Sequence, residues 1–443
     1  MKINSTERFL LNFKMAALWL VMLMLVAASY GHHDKPFRGD KVIRVTPKDE
    51  SQLTAVQQLE DHPTIKVSFW KEAMRPGMFA DIHVPAKYYG RLAKYLNNNG
   101  VEFVIQMFDV QHEVDMEEIN LGRSGGFFSR YQRLNEIVDE MRRLASQPSQ
   151  AQVNMRSVGN SYENRPQYYL EIKGRSSYQK PVFFMNCGIH SREWITPASC
   201  MYIISQFVNK YGKDNSVTQV LDKMDFIIMP VLNVDGYEYT WKGSSRQYRF
   251  WRKTRKPSGN AGGGWWQPSR RCMGTDPNRN WGHKWGLPGA SSNPCSDTYR
   301  GSSAFSEIET RNVADFMKRL GQRLKGYMDI HAYSQLWMIP WGYTKTPTKD
   351  HRELMRVSKA GVDAIRNSGY GTQYRYGSSS VIIYANSGGS KDYTYGELGV
   401  KYSFALELRD TGRYGFLLPP QQIIPTCIET FNGIIAMAQE MRI

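Results

Sequence analysis

After its first thirty residues the chain has no apolar run long enough to cross a membrane, which takes about 20 consecutive apolar residues. A bundle of transmembrane helices is therefore excluded. There is no long Lys/Arg run and no nucleic-acid-binding motif, so no nucleic-acid partner is expected. Acidic side chains are in deficit, 41 Asp and Glu against 57 Lys and Arg, for a net charge of +16. The imbalance is local. Residues 1–40 carry 5 basic and 3 acidic side chains, 41–123 carry 10 and 12, and 124–443 carry 42 and 26. A basic C-terminal part favours anionic partners such as acidic substrates, membrane surfaces or glycosaminoglycans. Cysteine is sparse. Four of the five fall in two close pairs, Cys187 with Cys200 and Cys272 with Cys295, and Cys427 is left over. In an exported protein the pairs read as disulfides, and in a reducing compartment all five read as buried thiols.

What is present is ordinary globular composition with a high aromatic share, 13 %. The 443 residues are enough for two or three domains. Lys2, Arg8 and Lys14 precede the apolar run Ala16–Ala28, and small residues follow. Residues 1–31 thus read as a secretory signal peptide, with a membrane anchor as the alternative. Residues 41–120 alternate as β-α-β-β-α-β, the order of a ferredoxin-like α/β unit. From 114 to 130 the pattern breaks, and Arg123 before Ser-Gly-Gly offers either a site for a trypsin-like protease or a plain linker. From Tyr131 onward strands alternate with helices, which implies an α/β fold with a mixed central sheet flanked by helices. Long Gly/Pro/Trp-rich loops span 242–303 and 370–401, and loops of that length are usually functional.

The stretch CGIHSREWITPASC, 187–200, follows an apolar strand and opens a helix for which Thr196 is the expected N-cap and Pro197 the first residue. A second helix, 307–320, carries a capping-box pattern from Ser306 to Glu309. His190 and Glu193 lie three residues apart on the turn, and both are zinc-ligand types. His331 ends the strand-like LKGYMDIH and is the third candidate. Two His and one Glu leave the fourth position of a tetrahedral zinc open, as catalytic sites require. Glu407, inside the apolar strand SFALEL, is costly to bury unless functional or paired, and Arg409 is the bland partner.

These motifs, with FWRKTR at 250–255, DPNRNWG at 276–282, IYANSGGSKD at 383–392 and RDTGRYGFLLP at 409–419, resemble zinc metallocarboxypeptidases of the pancreatic carboxypeptidase A/B type in zymogen form. The resemblance implies a signal peptide over 1–31, an activation prodomain over 32–123 and a catalytic domain over 124–443. It implies one Zn2+ held by His190, Glu193 and His331, with Glu407 as general base and Arg252 steadying the oxyanion. Asn278 and Arg279 would bind the substrate's terminal carboxylate and Tyr384 would close over it. Arg192 and Tyr333 would touch the peptide upstream. The implied protein is a secreted, extracellular monomer acting on peptide and protein C-termini, activated by a trypsin-like protease near Arg123.

The informative departure is Lys391, where the family carries an apolar residue or Asp at the floor of the side-chain pocket. A buried ammonium attracts a carboxylate and rejects cations. The expected preference is therefore C-terminal Glu or Asp, as in members with a basic residue here such as carboxypeptidase O. Gly342 and Ala405 are the other expected pocket positions. The alternatives are a Lys391 that snorkels out, leaving an A-like apolar pocket, or an inactive relative that binds peptides or matrix. Ala332 stands where the family usually has Ser, and the 256–271 loop is longer than usual.

Overall fold

A computed structural model describes residues 35–121, 125–176, 178–243, 248–261 and 270–443. The leader at 1–31, Arg123 and residues 262–269 of the 256–271 loop lie outside the described residues. No described helix is long and apolar enough to cross a membrane.

The N-terminal unit runs β1 (Lys41–Val45), α1 (Glu50–Gln57), β2 (Ser68–Lys71), β3 (Ala80–Val84), α2 (Ala86–Asn98) and β4 (Phe103–Met107). Its four strands form an antiparallel sheet in the order β2-β3-β1-β4, the expected ferredoxin-like arrangement. Alternation along β1 turns Ile43 and Val45 inward. They meet Ile82 and Val84 of β3, Leu53 and Val56 of α1, and Leu92 and Leu96 of α2, which are one helical turn apart on one face.

The stretch after β4 departs from the expected break in pattern. It forms α3, Val110–Leu121. Val110, Val114 and Glu117 fall on one face, and all three are buried. Glu117 accepts from Arg249 Nε at 2.6 Å and Nη2 at 2.9 Å. An acid satisfied by an arginine 132 residues away carries no local signal, so the acidic run hides an amphipathic helix.

The C-terminal unit opens with α4 (Leu134–Ser146), which buries Ile137, Met141 and Leu144. Then come β5 (Gln152–Asn160), β6 (Pro166–Lys173), β7 (Val182–Cys187), α5 (Ile195–Lys210), α6 (Asn215–Lys223), β8 (Asp225–Met229) and α7 (Val234–Thr240). The hairpin β9 (Pro257–Ala261) and β10 (Arg270–Met273) precedes α8 (Ile308–Leu320), β11 (Leu324–Ala332) and β12 (Leu336–Ile339). The last elements are α9 (His351–Arg366), β13 (Arg375–Ser378), α10 (Ser379–Ile382), α11 (Ser390–Gly396), β14 (Tyr402–Leu408) and α12 (Ile423–Glu440). Eight strands make one sheet ordered β13-β12-β14-β11-β7-β8-β6-β5. The four central strands, β14 to β8, are mutually parallel, and the flanks add antiparallel pairs.

β7 and β8 are buried along their whole length, as parallel strands covered on both faces must be. Phe183 and Met185 pack with Ile204 and Phe207 of α5 and Ile434 of α12. Val182 and Phe184 face the other layer, with Val313 and Phe316 of α8. Both expected disulfides form, Cys187–Cys200 and Cys272–Cys295, and Cys427 is a buried free thiol.

Two expected caps are corrected. α5 starts at Ile195, and Thr196 lies inside its first turn. The Thr196 hydroxyl accepts from Gly188 N and donates to Glu193 O, each at 3.0 Å, so it ties the strand end to the helix. The Ser306–Glu309 capping box does not form. Glu309 accepts instead from Tyr162 N at 3.0 Å, and Ser306 donates to Glu307.

Candidate active site

The chain leaves β7 through Gly188, whose φ of 61° is a left-handed conformation suited to glycine. A Cβ there would meet Val231 Cα at 3.2 Å. The turn carries His190 and Glu193 and is held from outside by the Ser191 hydroxyl, which donates to Trp251 O at 2.9 Å. His331 lies near the end of β11. In the parallel register it sits directly beside Glu407 of β14, and its neighbour Ile330 pairs with Cys187 of β7. Three adjacent strand ends thus gather four chemical groups at the carboxyl edge of the sheet, where open α/β sheets build their sites.

His190 Nδ1 lies 3.1 Å from His331 Nδ1, and Glu193 reaches the two nitrogens at 2.8 and 3.4 Å. All three side chains are buried, and one ligand atom from each lies within 4.8 Å of the others. The outer nitrogens are occupied. His190 Nε2 meets Asp276 Oδ1 at 3.1 Å and His331 Nε2 meets Asp329 Oδ2 at 2.9 Å. Carboxylates there keep the proton on Nε2 and leave the Nδ1 lone pairs facing one another. Such a convergence of two imidazoles and a carboxylate fits zinc. Burial alone would raise the Glu193 pKa, but where the two imidazoles are protonated their charge holds it far below the usual carboxylate range.

Asp276 divides its oxygens. Oδ1 faces His190, and Oδ2 accepts from Arg252 Nη2 at 2.8 Å and Nε at 3.1 Å. Burial opposes its charge, yet Arg252, His190 and Arg279 hold its pKa well below normal. Arg279 donates to Gly289 O at 2.8 Å and Asn278 O at 2.9 Å, with its Nη2 3.5 Å from the Tyr384 hydroxyl. Asn278 accepts from Ser390 N at 2.9 Å, and its Nδ2 lies 3.0 Å from His331 Nε2.

Glu407 is pushed up to about 8, chiefly by burial, with Glu193 adding and His331 opposing. The structural partner considered for it is engaged elsewhere, since Arg409 Nε donates to Glu429 at 2.8 Å. Apart from Arg192 and the pocket position Gly342, the expected site residues line one cavity: His190, Glu193, Arg252, Asn278, Arg279, His331, Tyr333, Tyr384, Lys391 and Glu407. Arg192 stands beside it, stacked over the Phe416 ring at 4.4 Å and paired with Asp297 at 3.2 Å.

Lys391 is the second residue of α11 and is 5 % exposed, so it does not snorkel out. Its Nζ donates to Asp392 Oδ1 at 2.5 Å. Ala405, Met338, Ser379, Ile383 and Asn386 line the same cavity. Gly342 is corrected, because it does not reach the wall. A Cβ there would meet Asn386 Oδ1 at 2.5 Å, and its N–H donates to Asp392 Oδ2 at 2.7 Å.

The N-terminal unit fills what remains. Trp70 and Lys71 of β2 line the cavity, leaving about 90 Å³ free. Lys71 Nζ donates to Ser334 Oγ at 3.0 Å, and burial lowers its pKa to about 8. Arg192 Nη2 donates to Phe69 O at 3.3 Å, and the Tyr333 hydroxyl donates to Asp81 Oδ2 at 2.7 Å.

The sequence reading missed Asp276 and Asp329. Asp329 had a usable signal, because it stands two residues before His331 on one strand and so shares its face. Asp276 had none beyond its place in the DPNRN motif. Asp329→Asn is expected to weaken zinc affinity by about 10–100-fold, read by competition with a chromogenic chelator. Unchanged affinity would mean that Asp329 does not orient His331.

Comparison with known proteins places the chain in a family. Residues 137–433 match the family described as zinc carboxypeptidase, and 43–117 match the carboxypeptidase activation peptide. Carboxypeptidase A1 of Bos taurus is 40 % identical over 428 residues, covering 95 % of this chain and 97 % of its own. Carboxypeptidase B of Homo sapiens is 38 % identical over 421 residues, covering 94 % and 96 %. The crystal structure of thrombin activatable fibrinolysis inhibitor superposes with a TM-score of 0.80 at 34 % identity, covering 91 % of this chain and 98 % of that one.

Proposed function

The chain belongs to the zinc carboxypeptidase family and carries its activation peptide, and from that premise we propose the part each residue plays and the substrate the pocket selects. The protein is a metallocarboxypeptidase that hydrolyses C-terminal peptide bonds. In the proposed organisation residues 1–31 direct secretion and 32–123 form the prodomain. Cleavage near Arg123 by a trypsin-like protease then frees the catalytic domain, 124–443.

His190 Nδ1, His331 Nδ1 and Glu193 would hold zinc, and Asp276 and Asp329 fix the two imidazoles. When bound, the metal would supply Lewis-acid polarisation and bring the pKa of a water to about 7. Glu407 takes a proton from the attacking water and returns it to the leaving amine, a role for which a raised pKa is suited. Arg252, aimed by Asp276, donates to the oxyanion as it forms. Losing one such preplaced donor typically costs about 2.7–4 kcal/mol of barrier. Arg279 and Asn278 bind the terminal carboxylate, a bidentate task that suits a guanidinium. Tyr384 closes over it, and Arg192 and Tyr333 contact the peptide upstream. The prodomain holds both of these last residues through Phe69 O and Asp81, which supports its removal as a condition of binding.

The pocket selects C-terminal Glu or Asp. The observation that carries this is Lys391, buried and on the cavity wall. An ammonium has three donors and Asp392 takes one, so two remain for a substrate carboxylate. The pairing itself, with Met338, Ile383 and Ala405 nearby, favours a second reading in which the pocket is effectively neutral and takes apolar side chains. A peptide series ending in Glu, Gln, Leu and Lys, offered to the trypsin-treated protein, separates the two. The first reading expects kcat/KM at least about tenfold higher for Glu than for Leu, all of it lost on zinc chelation. Faster release of Leu than of Glu would overturn it.

A further inference from the structure

We infer that selectivity resides in the Lys391–Asp392 pair, with Asp392 a buried counter-ion that restrains Lys391 and forms a latent cation site behind it. The inference deepens the reading of the pocket given above. Asp392 is 2 % exposed and does not line the cavity. Among the described residues its Oδ2 accepts from Gly342 N at 2.7 Å and its Oδ1 accepts from Lys391 Nζ at 2.5 Å. One oxygen is therefore anchored to the backbone, and the other is built to hold an ammonium.

The segment bearing the pair is fixed independently of it. Ser390 Oγ donates to Asp329 Oδ2 at 2.6 Å, Ser403 Oγ donates to Lys391 O at 2.8 Å, and Ser390 N donates to Asn278 Oδ1 at 2.9 Å. Removing the Lys391 side chain leaves these three bonds in place. It also opens a passage from the cavity to Asp392 Oδ1.

Two consequences follow from the charges. With both residues present the floor is a zwitterion, and Asp392 weakens the attraction between Lys391 and a substrate carboxylate. Without Lys391 the floor is an unpaired buried anion, which a substrate's own ammonium can satisfy. A C-terminal Lys side chain then occupies the place of Lys391.

The test is a cycle of four proteins, wild type, Lys391→Ala, Asp392→Asn and the double variant, each activated with trypsin. All are assayed on peptides ending in Glu, Gln, Leu and Lys. Asp392→Asn preserves shape and an acceptor for Gly342 N, and is expected to raise the Glu/Gln ratio of kcat/KM at least about fivefold. Lys391→Ala is expected to raise kcat/KM on the Lys-ended peptide at least about tenfold, and the double variant to lose that gain. Equal rates on the Lys-ended peptide for Lys391→Ala and the double variant overturn the latent site. An unchanged Glu/Gln ratio in Asp392→Asn overturns the restraint. The Asp392→Asn arm opens no cavity, so it decides the restraint even if Lys391→Ala fails to fold, and Lys391→Ser then repeats the other arm. If wild type shows no preference for Glu over Leu, the acidic reading fails. An Asp392-dependent gain on Lys-ended peptide upholds the pair regardless.

Discussion

Glu407→Gln is expected to lower kcat of the activated enzyme by about 10²–10⁴ while leaving zinc stoichiometry and KM nearly unchanged. Gln keeps the size and hydrogen-bonding reach of the side chain but cannot carry a proton between water and the leaving amine. Glu407 lies beside His331 across the strand pair and is not one of the three converging ligands, so the metal centre survives its loss. Arg409 pairs with Glu429, so the substitution leaves no buried arginine unpaired. Zinc is counted by atomic absorption and kcat by release of free amino acid. Retention of more than about a tenth of wild-type kcat would remove Glu407 from the chemistry.

The second large effect concerns the uncleaved chain. Glu72 follows β2 and stands close to the cleft arginines. Burial raises its pKa to about 7, Glu60 and Asp297 add to the rise, and Arg279 and Arg252 oppose it. Its ordinary value is 4.5, so the docked prodomain binds a proton more readily than the released one. Docking therefore draws full support from Glu72 below about pH 4.5 and loses it as pH rises through about 7. Glu60 is raised by burial too and acts in the same sense. Lys71, lowered to about 8, imposes a penalty that is constant below that pH. The activity of the intact chain relative to the trypsin-treated one is expected to rise about tenfold between pH 5 and 8. The rise stays below what the full shift would give because Glu72 keeps some contact with water. Glu72→Gln is expected to flatten the ratio. A ratio that falls with pH, or stays as steep in the variant, would exclude Glu72 as its source.

Much of this molecule was legible beforehand because its central strands are fully buried. Pro181–Met185 and Ser403–Leu408 read as continuous apolar runs, so a charged residue inside one of them, Glu407, stood out. His190 and Glu193 were visible as a spacing, and His331 as a strand end. The partners were less legible. Asp276 looks like any loop acid until tertiary contacts bring His190 to it, Asp329 left only its place two residues before His331 on one strand, and Asp392 left only its place next to Lys391. α3 was hidden for the same reason, because Glu117 on its inner face is made tolerable only by Arg249. Thr196 and Ser306 carried the right local chemistry for caps, but Gly188 N and Glu193 O claimed one hydroxyl, and Glu307 with the Asn280 amide claimed the other.

The pairing of His331 with Glu407 sets a constraint of a different kind. The two side chains are neighbours because β11 and β14 share a ladder in that register, about 4.8 Å apart. Their separation is thus a property of the backbone and cannot drift by small steps. A slip of one residue would turn Glu407 to the opposite face of the sheet. The pocket around Lys391 can be retuned gradually, one side chain at a time. The spacing between base and metal is all-or-none, so descent within this lineage can adjust taste in increments but can only keep or forfeit the chemistry.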